Sequence, residues 1–320
     1  MTRWDVRDSP GSRRLLRSRC GIASATRPRD AAHVSRAWGR FVANRGAVVG
    51  LALVALLLCV SVIAPLLSAK DPLVSDVERG LSELGAPLPP SGSAVLGTDQ
   101  LGRDEWARVV AATGTSLAIA ALATLIALVI GLSIGLIAGY SGGRTDRALM
   151  RLVDLALAFP FVLLAILLAS LFREAELGSS TAPVFLTLGV VSWTTMARVI
   201  RGKARVLARS EMVGAARAVG ASPGRIIVRH ILPNVMGIVL VVAALGFAQN
   251  LLAESVLSYL GLGPPPPAPT WGRMLFEGRA YYRTAPHLVM VPGLAILFAV
   301  VGFNLVGEGL RDAFDVRERA

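Results

Sequence analysis

Charge is scarce in this chain. Asp, Glu, Lys and Arg make up 17% of its 320 residues, against about a quarter in soluble domains, which excludes an ordinary water-soluble globule. Cysteine is rarer still. Cys20 lies in the N-terminal tail and Cys59 in an apolar run, so no disulfide or thiolate metal framework follows. His33, His230 and His287 are scattered and form no ligand cluster. A phosphate-binding Walker A loop is also missing, because Gly202-Lys203 has Ala197, not glycine, five residues upstream of Gly202. Apolar runs carry no carboxylate or histidine in their middles; Asp154, Glu254 and Glu308 fall near the ends. A proton-coupled carrier needs such groups at depth. If this chain moves a solute uphill, the energy comes from another polypeptide.

What is abundant is hydrocarbon. Hydrophobic residues make up 54% of the chain, and the mean hydropathy is +0.61. The stretches 47–67, 109–143, 155–172, 182–197, 231–253 and 288–307 carry no charged side chain. Each approaches the length that crosses ~30 Å of hydrocarbon at ~1.5 Å per residue. Helices satisfy their own backbone in lipid, so the expectation is an all-α polytopic membrane protein with six transmembrane helices. The run from 109 exceeds one span, which places its first residues along the interface.

The net charge of +12 is topological. With the N-terminus inside, one side of the membrane collects 25 of the 33 Lys and Arg. The positive-inside bias then places both termini in the cytoplasm and leaves no case for nucleic acid as a partner. The segment SRRLLRS (12–18) superficially matches a twin-arginine export signal, but the apolar stretch begins some thirty residues later and is too long for one. The expected organisation is a basic tail over 1–46, a first helix over 47–67 and an extracytoplasmic loop over 68–110. A five-helix core over 111–310 and a cytoplasmic end over 311–320 complete it.

Several features read as packing devices. Gly131, Gly135 and Gly139 recur every four residues and leave a smooth groove for another helix. Arg151 and Asp154, one turn apart, are placed to pair, and Pro160 to kink the third helix. Pro264–Pro267 predict a stiff extended segment, and Trp271, Tyr281 and Tyr282 suit a membrane interface. Gly131-Leu132-Ser133-Ile134-Gly135 matches the G-x-S-x-G pattern of serine hydrolases. That chemistry needs a strand-to-helix elbow and a histidine base; Ser133 instead falls inside a membrane helix, where its hydroxyl can bond back to a carbonyl. An intramembrane hydrolase is the alternative of a different class.

Between the fourth and fifth runs the chain turns polar, over 198–233. Arg201, Arg205 and Arg209 form a basic stripe. Met212, Ala215, Ala216 and Val219 then form an apolar face at helical spacing. Gly220 can end that helix in a left-handed conformation. Ser222 is placed to cap a second helix with Pro223 in its first turn, running through Leu232 to Pro233. Gly214, Ala215, Ala216 and Ala218 leave room for a partner to approach closely. An amphipathic helix on the inner leaflet would need a more apolar face than alanine and valine supply.

AARAVG (215–220), followed by HILPN (230–234), resembles the EAA loop of inner-membrane permeases of ABC importers. LGTDQLGRDEWARV (96–109), LMRLVDLALAFPF (149–161), ESVLSYLGLGPPPPAPTWGRML (254–275) and FNLVGEGLRDAFDVR (303–317) resemble the C-type permease of dipeptide and oligopeptide importers. The likeness runs from about 36 to 317. It implies a type I importer permease fold with a coupling helix at about Glu211–Val219. It also implies a second, similar permease, one or two cytoplasmic ATPases, and an extracytoplasmic solute-binding protein. ATP and magnesium would then sit on the ATPases, with no cofactor in this chain, and the bacterial-type inner membrane would be its location. The same subfamily includes importers of nickel and other small solutes. Two departures stand out. The glutamate that gives the loop its name is replaced by Gly214, with Glu211 one turn earlier. The proline usual after Trp193 is Thr194, which removes the residue expected to bend the fourth helix.

Overall fold

The computed structural model describes residues 37–67, 70–174 and 181–314. Most of the arginine-rich tail and the last residues, 315–320, fall outside the described residues. After a short helical stretch at 37–43, the helices are α1 (Arg45–Leu67), α2 (Val77–Gly80), α3 (Glu105–Ser141), α4 (Gly143–Ala158), α5 (Phe161–Glu174) and α6 (Ala182–Leu207). They continue with α7 (Glu211–Ala218), α8 (Pro223–Ile226), α9 (Leu232–Tyr259), α10 (Trp271–Gly278) and α11 (His287–Phe314). Among the described residues five spans are long and apolar enough to cross a membrane, or six when the bent pair α4 and α5 is taken as one span.

The second apolar run is one unbroken helix of 37 residues, about 55 Å long at ~1.5 Å per residue. It starts at Glu105, where the Asp104 carboxylate caps it by accepting from the Ala107 N–H at 3.0 Å. It stops at Gly142 and Gly143, whose φ of 60° and 56° few residues with a Cβ adopt. Its first turns are therefore not a separate interfacial segment. The third run is not one helix either: α4 and α5 meet at 91°, where Phe159 leaves the helical region before Pro160, as a residue preceding proline prefers.

α6 lies at the centre, with 56% of its apolar window buried, against 11% for α1. It runs unbroken through the buried Thr194. Gly131, Gly135 and Gly139 of α3 face it. A Cβ added at each would lie 2.7 Å from Met196 Cβ, 2.9 Å from Ile200 Cβ and 2.7 Å from Ala204 Cβ. The three glycines thus set the α3–α6 separation at backbone contact. α1 packs on the outside, where Gly50 meets Leu305 and Gly302 of α11.

Loops 70–104 and 261–286 form a cap at one end. Asp99 accepts from Arg103 Nε at 2.6 Å and pairs with Arg108 of α3. Arg108 Nη2 reaches Glu277 of α10 at 2.8 Å, and Arg273 reaches Glu277 at 2.8 Å. Trp271 is fully buried rather than interfacial, and its backbone N–H donates to Ser116 Oγ of α3 at 3.2 Å. The indole has to fill the space that α3, α9 and α11 leave between them, which the sequence pattern of aromatics at an interface does not report. Tyr282 is exposed. The prolines do not run as one extended segment, because residues 266–267 make a turn that brings the chain back to seat Trp271.

Candidate docking site

The opposite end carries α7. Ser210 precedes it in extended conformation, its hydroxyl donating back to the Leu207 carbonyl at 2.7 Å. The helix ends in a Schellman arrangement: Ala221 N–H donates to the Ala216 carbonyl at 3.0 Å and Gly220 N–H to the Arg217 carbonyl at 3.0 Å. Gly220 takes φ +77° to do so, the left-handed conformation that a Cβ penalises.

The face on which α7 rests differs from the apolar stripe in the sequence. Val213, which that stripe omits, is completely buried, and Ala216 is 8% exposed. Both join a cluster with Ile200, Ala204, Ile226, Ile231 and Val235. Met212 and Ala215 are exposed and Val219 is 85% exposed. Ala216 is therefore a seat, not a contact surface for a partner. One turn has 3.6 residues, and two small side chains suffice to hold it, so the larger apolar residues point outward. The outward surface is Glu211, Met212, Gly214, Ala215, Ala218 and Val219. At Gly214 a Cβ would meet open space, so nothing steric explains the missing glutamate. Glu211 stands exposed at the first position of the helix, where the N-terminal backbone amides favour a carboxylate.

The second helix of the loop is not separate from the fifth span. α8 continues through a π-type stretch, Ile227–Ile231, into α9. Leu232 N–H donates to the Ile227 carbonyl, five residues back, just before Pro233, which has no N–H to give. Ser222 occupies the cap position of α8 with Pro223 following it, but its hydroxyl makes no capping bond.

The basic stripe is anchored by α4. Arg201 makes two hydrogen bonds to Asp146, one of 2.6 Å, and Arg205 lies 3.7 Å from the same carboxylate. Asp154 pairs with Arg198 of α6 at 2.5 Å, not with Arg151. Packing of α4 beside α6 offers Asp154 a cation across the interface, and Arg151 stays exposed. The Arg217 guanidinium lies 5.1 Å from the centroid of the Tyr140 ring on α3. α7 thus rests on this cluster through Val213 and Ala216 and touches α3 through Arg217.

Ser133 donates to the Val129 carbonyl one turn back at 2.7 Å. His230 lies in the π-type stretch, and His287 faces the Thr98 carbonyl at 3.4 Å in the cap. No base is positioned for a serine nucleophile among the described residues.

Glu254 was legible only as a residue near a helix end. It is completely buried and takes a hydrogen bond from Ser258 at 2.7 Å, while the neighbouring Ser255 hydroxyl donates to the Leu251 carbonyl at 3.0 Å. Serine four positions after a glutamate was the available signal. At Glu277, outside the spans, burial pushes the carboxyl up. Arg108, Arg273 and Arg103 outweigh that and hold it below the ordinary carboxylate range.

The described residues form a bundle of apolar helices with a short helix, α7, seated at one end by Val213 and Ala216. This is the class of a transport permease. Residues 131–320 match the family described as binding-protein-dependent transport system inner membrane component, and residues 34–90 match the N-terminal transmembrane domain of oligopeptide transport permease C. The chain belongs to this family of binding-protein-dependent transport permeases. It is 36% identical to the dipeptide transport system permease protein DppC of Alkalihalophilus pseudofirmus, covering 87% of this chain and 88% of that one. It is 38% identical to the oligopeptide transport system permease protein OppC of Escherichia coli, over 88% and 90%. It is 40% identical to the glutathione transport system permease protein GsiD of Pectobacterium atrosepticum, over 71% and 73%. In fold it is similar to a chain of the inward-facing MetNI methionine ABC transporter, with a TM-score of 0.50, 20% identity and coverage of 62% and 93%.

Proposed function

We propose that this chain forms half of the pathway of an ATP-driven importer of di- and oligopeptides and is driven through α7. The observation that carries this is the division of α7 into a buried seat, Val213 and Ala216, and an exposed small-residue face. Burying Val213 contributes roughly 1.5 kcal/mol or more, so a force on α7 moves α6 and α9 with it rather than peeling the helix away. Such a coupling works by rigid-body displacement between two packed states. It needs no reactive side chain, and we assign this chain no catalysis and no cofactor. ATP and magnesium belong to one or two separate ATPases that dock on the outward face of α7 in the cytoplasm.

Both chain ends lie on that side of a bacterial-type inner membrane, in keeping with the excess of Lys and Arg there. A second, similar permease completes the pathway, and an extracytoplasmic solute-binding protein delivers the solute to the capped end. Peptide is favoured as the solute because relatives that cover most of this chain are dipeptide, oligopeptide and glutathione permeases.

The test is purification of the tagged chain from its membranes in mild detergent, for wild type and Ala215→Arg. Wild type should bring down a second permease and a Walker-motif ATPase; Ala215→Arg should keep the permease and lose the ATPase. Recovery of the chain alone, even after gentle crosslinking, would sink the proposal.

A further inference from the structure

Near the far end of α9, a cavity of about 320 Å³ opens between α5, α6 and α9, immediately after the Pro160 break. Its wall is apolar, from Phe161, Ala165 and Val256 among others, with Ser192, Gln249 and Asn250 as its polar groups. No charged side chain lines it.

Asn250 is completely buried, and its Oδ1 has no hydrogen-bond partner among the described residues. The orientation of this amide is decided by its neighbours. Thr124 Oγ1 spends its one hydrogen on the Ala120 carbonyl at 2.7 Å, so toward Asn250 it can only accept. The amide nitrogen therefore faces Thr124, at 3.0 Å, and the oxygen is left as an unfilled acceptor. Ser192, half-buried, offers a second acceptor: its hydroxyl donates to the Leu188 carbonyl at 2.5 Å and can only accept from the cavity. A buried acceptor without a donor is costly, and in a membrane helix such a group marks a solute path.

We infer that this cavity binds the transported peptide by its backbone N–H groups, with Asn250 Oδ1 as the buried acceptor. This rests on the peptide reading above and assigns the residues that hold the peptide. A row of acceptors without a charge matches the N–H groups of any peptide, and the apolar walls take side chains without selecting among them. A lipid chain or an apolar helix of the second permease would fill the volume but leave Oδ1 without a donor.

The experiment compares import of trialanine with import of its backbone N-methylated analogues by the assembled complex, in wild type and in Asn250→Leu. Comparing the two chains with the same binding protein cancels selection upstream. Wild type should prefer the parent over at least one analogue by about 3- to 10-fold beyond the preference that Asn250→Leu shows. A discrimination unchanged in Asn250→Leu would overturn the proposal.

Because that variant can fail to assemble, a second measurement leaves Asn250 in place. In a chain with Cys20 and Cys59 replaced by serine, Val256→Cys is alkylated with a membrane-permeant maleimide. Trialanine should protect it better than the N-methylated analogue. Equal alkylation with both peptides and with none would identify a face covered by lipid or by the second permease, and would count against the proposal. Should wild type import no peptide at all, the reading of function fails first, in the wild type itself.

Discussion

The two ends of the bundle are stabilised in opposite ways. At the cap, Asp99, Arg103, Arg108 and Glu277 bury a network of ion pairs, and Trp271 packs among α3, α9 and α11. At the other end α7 holds on with Val213 and Ala216 and ends on one backbone conformation at Gly220. Buried charges are costly to separate, so the cap resists rearrangement. A small apolar seat with an exposed outer face can be gripped from outside and moved as a body. Under the proposed function, the cap holds the helices in place and α7 receives the drive.

The strongest way to break that contrast is Arg108→Ala, which removes the more deeply buried of the two cations, Arg103 and Arg108, that Asp99 and Glu277 share. It should destabilise the chain by about 3–5 kcal/mol, read as a lower melting temperature in detergent, whereas Ala215→Arg should leave the melting temperature within its wild-type range. Gly135→Leu comes next. Its side chain has to enter the Ile200 wall of α6, an overpacking that costs about 1–3 kcal/mol or more and should lower yield and melting temperature together. Gly220→Val forces a Cβ into positive φ at a cost of about 1–2 kcal/mol. Membrane insertion should survive, with peptide uptake down roughly tenfold or more if that strain falls on the coupled state.

Acid should act on the cap. The Glu277 carboxyl is held below its ordinary value of 4.5, so its ion pairs stabilise the folded chain at neutral pH. That contribution is undiminished down to about 4.5 and is lost as pH falls through the lower, folded value. Melting curves of Glu277→Gln should lack this acid limb; an identical limb in both chains would place the effect elsewhere. The smallest effect is expected at Gly214→Glu. The position is open, so stability should shift by no more than about 0.5 kcal/mol, and uptake should be retained. A large loss of uptake there would show that the outer face of α7 tolerates no charge at this position.

Much of this was readable in advance because it depends on one stretch at a time. Uncharged runs locate the spans, four-residue glycine spacing marks the α3 groove, and Gly220 announces the end of α7. Within the 198–233 loop the outward residues are only partly those that the spacing indicates, because Ala216 is buried while Gly214, Ala215 and Ala218 are exposed. Four apolar residues on one stripe suggest a buried face, but the core chose Val213 and Ala216. The Arg151–Asp154 pair failed for a related reason. Spacing along a helix says which side chains share a face, and it cannot weigh them against Arg198, 44 residues away.

The sequence by itself determined a multi-pass helical permease, the place of the short helix α7 and the conformation that ends it. Length, hydropathy and backbone preference act locally, and each leaves a mark in the order of residues. Only the tertiary structure decided that Arg108 meets Glu277, 169 residues on, and that Trp271 binds to Ser116, 155 residues back. It also decided that Thr124 turns the Asn250 amide so that one buried oxygen is left without a donor among the described residues. Such pairings depend on which helices pack together, and that is settled by the fit of whole surfaces rather than by any single segment.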